Sequence, residues 1–309
     1  MNDTQPALDC WFLSGATAVG KTQVALSLAS WIGAEIISLD SMAVYRGMDI
    51  GTAKPTPEEQ AQVPHHLIDV VDPSEEFSIE RYLELAQGAM ADIKSRGKEV
   101  LFVGGTPLYL KALLRGMSSG PPADWQVREQ IAVEVKEVGS EELHRRLEQL
   151  DPLAASQIHP HDTRRLIRAL EVFRSTGEPI SHQQTHFDEG TPADECRVFI
   201  LRRPREEQHE RINERVEQMF ERGLVDEVER LTAKGNKLGR TASQAVGYRE
   251  VIEYLSGGEY NEMVEKIKAH TRRFAKRQGT WFRSLCECRY VDIEGEIDPE
   301  AIAKQIATI

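Results

Sequence analysis

The sequence predicts an α/β fold, a P-loop core with a parallel sheet flanked by helices plus an all-helical insertion domain, on three observations. Short apolar runs alternate with helical patterns through the first ~115 residues. A glycine-rich segment ending in Lys-Thr joins the first apolar run to the first helical pattern. From about residue 116 strand candidates cease until residue 197. At about 150 residues per domain, the 309 residues suggest roughly two domains. We divide them as a first core part at 1–117, a helical insertion at 118–190 and a second core part at 191–309, which ends in a basic helix.

Taken in order, Cys10, Trp11, Phe12 and Leu13 read as a buried strand, and 22–32 as a helix with Val24, Leu26, Leu28 and Ala29 apolar. Residues 35–39 give a second strand, 78–96 a long helix, and 100–103 a third strand stopped by Gly104 and Gly105. Strands separated by helices imply a parallel sheet with ligands at its carboxyl edge, where each of these strands ends in polar or glycine residues. The cluster Ser118, Ser119, Gly120, Pro121 and Pro122 breaks the pattern, and 125–173 then reads as helix throughout. Further breakers at 176–179 and 190–192 precede a strand at 197–201 that rejoins the sheet. Helices at 206–222, 224–233, 243–255 and 260–282 and a last strand at 289–291 complete the reading, without internal repeats.

Composition limits the function classes. Lys and Arg total 38 against 50 Asp and Glu, a net charge of −12, which excludes holding nucleic acid by bulk positive charge. A polyanion would have to meet a local patch. No apolar run approaches the ~18 residues of a membrane span, and mean hydropathy is −0.44. The first ten residues contain no Lys or Arg and read as no signal peptide. Cys10, Cys196, Cys286 and Cys288 are too few and too irregular for a disulfide framework, so a cytoplasmic location without a membrane partner is expected.

The phosphate site is the strongest motif. Gly15, Ala16, Thr17, Ala18, Val19, Gly20, Lys21 and Thr22 match G-x-x-x-x-G-K-[ST] between a strand and a helix. Glycines let backbone amides converge on phosphate oxygens, the helix N-terminus adds partial positive charge, Lys21 adds a full one, and the Thr22 hydroxyl suits Mg²⁺. Such a loop holds a di- or triphosphate without selecting a base. NTP hydrolases of this class place an acid at the end of a later strand. Here strand 100–103 runs into Gly104, Gly105 and Thr106, which argues against ordinary NTP hydrolysis. Strand 35–39 instead delivers Asp40 to the same edge, as metal ligand or proton acceptor. A surface aspartate capping a turn is the plainer reading of that residue alone.

Further ordered segments follow the P-loop with Thr17: Asp40-Ser41 leading into Val44-Tyr45-Arg46-Gly47-Met48-Asp49-Ile50-Gly51-Thr52-Ala53-Lys54-Pro55, then Pro64-His65-His66-Leu67-Ile68-Asp69 and Gly104-Gly105-Thr106. Arg165-Leu166-Ile167-Arg168-Ala169-Leu170-Glu171, Val246-Gly247-Tyr248-Arg249 and Lys276-Arg277-Gln278-Gly279-Thr280-Trp281-Phe282-Arg283 continue the set. Together these segments resemble the bacterial tRNA dimethylallyltransferase (tRNA isopentenyltransferase) family over nearly the whole chain. The resemblance implies transfer of a dimethylallyl group from dimethylallyl diphosphate to the exocyclic amine of the tRNA adenosine immediately 3′ of the anticodon. The P-loop would hold the diphosphate, with Thr17 near the breaking bond, Asp40 as general base, and Arg215 as a further diphosphate contact. A salt-bridging surface arginine is the competing reading of Arg215.

For the tRNA anticodon stem-loop the resemblance implies contacts from Asp40, Ser41, Met42, Ala43, Thr106 and Arg128. It adds Arg164, Arg165, Leu166, Ile167 and Arg168 in the insertion, Gln244, Ala245, Val246, Gly247, Tyr248 and Arg249, and the run from Lys276 through Arg277, Gln278, Gly279, Thr280, Trp281 and Phe282 to Arg283. Charge agrees: residues 266–283 hold seven Lys and Arg and no Asp or Glu, so the remainder of the chain stands at −19. Trp281 and Phe282, at helical spacing, fit a packed role better than base stacking.

Ala16 and Val19 depart from the family's Pro and Ser, Arg164 stands where a glutamine is usual, and Ala43 offers only its backbone. Cys286-x-Cys288 lacks a second ligand pair for zinc, and His65-His66 are expected to order a loop near the phosphate site. The implied geometry is a channel entered by tRNA at one mouth and the small diphosphate at the other, in a monomer. The alternatives are a P-loop kinase acting on a nucleoside or small alcohol, which leaves the basic helix unexplained, and a catalytically silent RNA-binding module, which leaves the P-loop unexplained.

Overall fold

In the computed structural model the described residues are 6–117, 120–183, 190–233 and 237–309. Ser118 and Ser119 of the expected breaker cluster lie outside them. The chain forms two compact units, one from Ala7–Leu114 with Gly190–Ile309, the other centred on Arg115–Glu189.

The first unit is built on six strands: β1 (Trp11–Gly15), β2 (Ala34–Ser38), β3 (His65–His66), β4 (Glu99–Gly104), β5 (Arg197–Arg202) and β6 (Cys288–Asp292). Their order is β3-β2-β4-β1-β5-β6 and every pair is parallel, so all carboxyl ends share one edge. β1 is central, with Ser14 opposite Gly104 on one side and Ile200 on the other. Helices cover both faces of such a sheet, which is why residues 11–13 of β1 and 198–201 of β5 read as continuous apolar runs rather than alternating ones. Phe12 stacks on Phe102 at 4.9 Å between ring centres. The Lys21–Ile32 helix buries Val24, Ala25, Leu28 and Ala29 in a cluster that also holds Ala303 and Ile306 of the Pro299–Ala307 helix. The chain leaves β1 toward β2 and leaves its neighbour β4 toward β5 in the opposite direction, making the carboxyl ends of these two strands a topological switch point where α/β proteins bind ligands.

The expected strands all form, each within two residues of its expected ends. Two expectations are corrected and one helix is added. His65 and His66 do not order a loop at the phosphate site; they form edge strand β3 on β2, with His65 opposite Ile36. His66 Nε2 lies 2.7 Å from Glu35 Oε2, and Arg96 holds both oxygens of that buried carboxylate. The guanidinium, with help from His66, holds Glu35 down to about 2. Two residues are too short a run for a period-two pattern to register.

The stretch expected to be helical over 125–173 carries no strand and is made of four helices: Trp125–Val138, Ser140–Leu150, Pro152–Gln157 and Thr163–Thr176. Asp151 and Asp162 each accept an N–H of the following helix and so start new ones. The helix expected at 243–255 is Arg240–Ser243 and Tyr248–Leu255, parted at Gly247. Pro299–Ala307, capped by Asp298, is a helix the sequence reading did not assign. The second unit packs its own core from Ile131, Leu143, Leu147, Ala155, Leu166, Ala169 and Leu170.

One buried carboxylate shapes the loop that follows Asp40. Glu227 accepts the N–H groups of Asp49 (3.1 Å), Ile50 (2.8 Å) and Gly51 (3.3 Å) and the Tyr248 hydroxyl (2.6 Å). Beside it, the buried Lys54 ammonium donates to Tyr45 O, Asp49 and Asp69. Glu227→Ala removes the acceptor of four donors, of which the Tyr248 hydroxyl is buried, and is expected to destabilise the fold by about 2 kcal/mol, since an unsatisfied buried group costs about 1–3. A lowered urea midpoint at unchanged slope is the readout, and a loss below about 1 kcal/mol would contradict this role.

Candidate active site

β1 ends at Gly15 with φ +144°, and a Cβ there would stand 2.5 Å from Leu201 O of β5, so only glycine lets the chain leave the sheet. Every carbonyl from 15 to 19 then accepts a side-chain hydrogen bond. Lys21 Nζ donates to Gly15 O (3.0 Å) and Ala16 O (2.9 Å), and Gln208 Nε2 to Thr17 O (2.9 Å). Arg211 Nε donates to Ala18 O (3.0 Å) and Arg203 Nε to Val19 O (3.3 Å). Because each peptide is planar, these bonds fix the orientation of five successive peptide units of the phosphate loop.

Arg215 Nη1 approaches Thr17 Oγ1 at 3.4 Å. Burial and the like charge of Arg215 bring the Lys21 ammonium down to about 7, opposed by Asp40. Burial also weighs against the Arg215 charge, again opposed by Asp40. Lys21, Arg215 and Asp40 therefore lie within one electrostatic neighbourhood, which favours the arginine's phosphate-side reading over a surface salt bridge.

Asp40 follows β2 by two residues. Leu39 N–H donates to Val103 O (2.7 Å) and Thr106 N–H to Leu39 O (3.1 Å), and the Ser41 N–H donates to Thr106 Oγ1 (3.1 Å). Asp40 Oδ1 accepts from Met42 N (2.8 Å) and Ala43 N (3.4 Å), an Asx turn that fixes the carboxylate at the strand end. Below it, the Tyr82 hydroxyl donates to Ser38 O (2.9 Å) and the Tyr82 ring stacks on Tyr109. Gly104-Gly105-Thr106 thus braces the Asp40 turn, in the place where an NTP hydrolase would carry an acid.

The other sequence-predicted residues divide by exposure. On the Tyr260–Phe282 helix, Lys276, Arg277 and Thr280 are exposed, as is Arg283 just beyond it, while Gly279 and Trp281 are half-buried. The seven-cation run is not one charged face. Lys266 pairs with Glu262, Lys268 with Glu217 and Glu265, and Arg272 donates to Asn213, so the exposed charge gathers at 273–283. Ala43, Leu166, Ala245, Tyr248, Gln278 and Phe282 are buried, which takes their side chains out of the nucleic-acid set. Arg249 donates to buried Glu250, which also accepts from Gly247 N and faces His270 Nδ1.

In the helical unit Arg164 and Arg165 are exposed. Arg128 and Arg168 instead share the buried Glu171 carboxylate, each at 2.9 Å, and Arg128 lies over the Trp125 ring. Sequence reasoning missed Arg203, Gln208 and Arg211. The spacing of Gln208, Arg211 and Arg215 along one face of the Arg205–Glu221 helix was the available signal.

For Mg²⁺, no group of three or more His, Cys, Asp or Glu side chains able to hold a metal occurs among the described residues. The donor set present, the Thr22 hydroxyl in the first turn and the single Asp40 carboxylate at the same edge, fits an ion that completes its shell with substrate phosphate oxygens and water.

Together, sheet and site define a P-loop α/β protein that sets a phosphate cradle against one braced carboxylate. The family described as IPP transferase matches residues 43–285, and the chain belongs to it; it is a transferase. A tRNA dimethylallyltransferase of Rhodopirellula baltica is 50% identical over 290 residues, spanning 91% of this chain and 87% of that protein. The solved tRNA isopentenylpyrophosphate transferase of Bacillus halodurans has a TM-score of 0.70 at 39% identity, over 97% of this chain and 96% of that one. A eukaryotic dimethylallyltransferase acting on tRNA gives 0.75 at 27% identity, over 96% and 77%.

Proposed function

We propose that the protein transfers a dimethylallyl group from dimethylallyl diphosphate to the exocyclic amine of the tRNA adenosine immediately 3′ of the anticodon, releasing diphosphate. One observation carries the chemistry: Thr17, Lys21 and Arg215 surround a phosphate loop whose electrostatic neighbour is Asp40, a carboxylate braced on the adjoining strand end. An aryl amine is a weak nucleophile that sheds a proton as it attacks. In this reading the N–C1 bond forms as the C1–O bond breaks, the proton passes to Asp40, and the departing diphosphate's charge meets Lys21, Arg215 and the loop amides. Thr17 orients the bridging oxygen. Thr22 and diphosphate oxygens would hold Mg²⁺, which supplies further neutralisation of the leaving group.

Family names support tRNA as the acceptor, and the exposed Lys276, Arg277, Arg283, Arg164 and Arg165 suit its phosphates. The target base leaves its loop stack to reach Asp40, at a cost of a few kcal/mol that a loop nucleotide reduces. No helix among the described residues is long and apolar enough to cross a membrane. A cytoplasmic monomer is the state in which we expect the protein to act. The test is to incubate it with Mg²⁺, labelled dimethylallyl diphosphate and unmodified tRNA. Label in the adenosine next to the anticodon is expected; absence of label with phosphate transfer from ATP to a small acceptor would overturn the proposal in favour of a kinase.

A further inference from the structure

Gln278 lies on the buried side of the Tyr260–Phe282 helix, 4% exposed, and both ends of its amide are committed. Oε1 accepts the Thr17 N–H at 2.9 Å inside the P-loop, and Nε2 donates to Gly105 O at 2.6 Å just past β4. Gly105 makes room for this: a Cβ there would stand 2.6 Å from Gln278 Nε2. One residue on, Thr106 Oγ1 accepts the Ser41 N–H, and Ser41 follows Asp40. A set of ties therefore runs from Thr17 through one side-chain amide and residues 105–106 to the turn that carries Asp40.

These ties join the two halves of the reaction. The sheet ladder fixes β1 and β2 only up to their ends, and Thr17 and Asp40 both lie beyond it, in separate loops with β4 between their strands. Reacting atoms need about 3–3.5 Å separation and alignment, and a 1 Å misplacement can cost about 10²-fold in rate. An amide is the side chain that can accept from one loop and donate to the other at once.

We infer that Gln278 is a positioning residue that sets the distance between the diphosphate at Thr17 and the Asp40 carboxylate, and that it does not contact tRNA. This rests on the transfer reaction proposed above. Gln278→Met, of similar length with neither hydrogen bond, is expected to lower kcat about 10- to 100-fold with KM for both substrates within about threefold. Gly105→Ala displaces the amide without altering the exposed helix face and is expected to give the same pattern, with the double variant no slower than the slower single one.

Gln278→Glu supplies a pH readout that mere loosening would not. Its carboxylate accepts from Thr17 but repels Gly105 O, whereas its protonated form can do both. Its rate relative to wild type is therefore expected to rise as pH falls from 8 to 6. A raised KM for tRNA with kcat intact in Gln278→Met would make Gln278 an RNA contact and overturn the inference. So would unchanged kcat in both single variants. Wild-type protein without label transfer overturns the reaction itself and this role with it; active wild type beside unaffected variants overturns the role alone.

Discussion

Asp40→Asn should slow dimethylallyl transfer by about 10²- to 10⁴-fold while tRNA binding stays within about threefold of wild type. The asparagine keeps an Oδ1 to accept from Met42 and Ala43, so the turn that places the side chain survives and only charge and basicity are lost. Asp40→Ala removes the turn as well and should fall by about 10²-fold or more. Single-turnover rates with saturating tRNA, set beside filter-binding affinities, separate the chemical step from recognition. If Asp40→Asn lost tRNA affinity with the single-turnover rate intact, the carboxylate would be an RNA contact and the general-base assignment would be wrong.

The second large effect concerns Lys21. Its ammonium is brought down to about 7 by burial and the Arg215 charge, so the free protein carries that charge below pH 7 and loses it as pH rises through 7. A bound diphosphate favours the charged form and raises the pKa. Binding of inorganic diphosphate at pH 8 should therefore take up a proton at Lys21 and weaken with rising pH. Calorimetry in two buffers of different ionisation enthalpy measures that uptake. Lys21→Met should lose this contribution and weaken diphosphate binding by about 10²-fold, as expected for one or two charge-assisted hydrogen bonds at about 1.5–3 kcal/mol each. Equal proton uptake by wild type and Lys21→Met would place the titration elsewhere.

Much of the first unit was legible locally. The P-loop announces itself because phosphate binding dictates glycines, a lysine and a hydroxyl at fixed spacing, and the β-strands because doubly covered strands must be continuously apolar. Asp40 was legible as the polar end of such a run. Of the helix starts inside 125–173, Asp151-Pro152 carries a cap and a first-turn proline that the sequence displays, whereas Asp162 reads as an ordinary helix-surface residue until its side chain is seen to cap the next helix. The basic segment was half legible: its composition was plain, but its partners were not.

The sequence by itself determined that a phosphate loop and a carboxylate share one edge of a parallel sheet, because both follow from short-range patterns. Tertiary structure alone decided which side chains serve that edge. Gln278 meets Thr17 across 261 residues, Arg203, Gln208 and Arg211 turn to the loop carbonyls, and Lys268 and Arg272 are drawn to Glu217 and Asn213 on another helix. Arg128 and Arg168 are likewise drawn to Glu171. A hydrogen-bond partner is chosen by which elements pack together, and no local periodicity carries that information; it exists only once the sheet and helices have brought distant residues within about 3 Å.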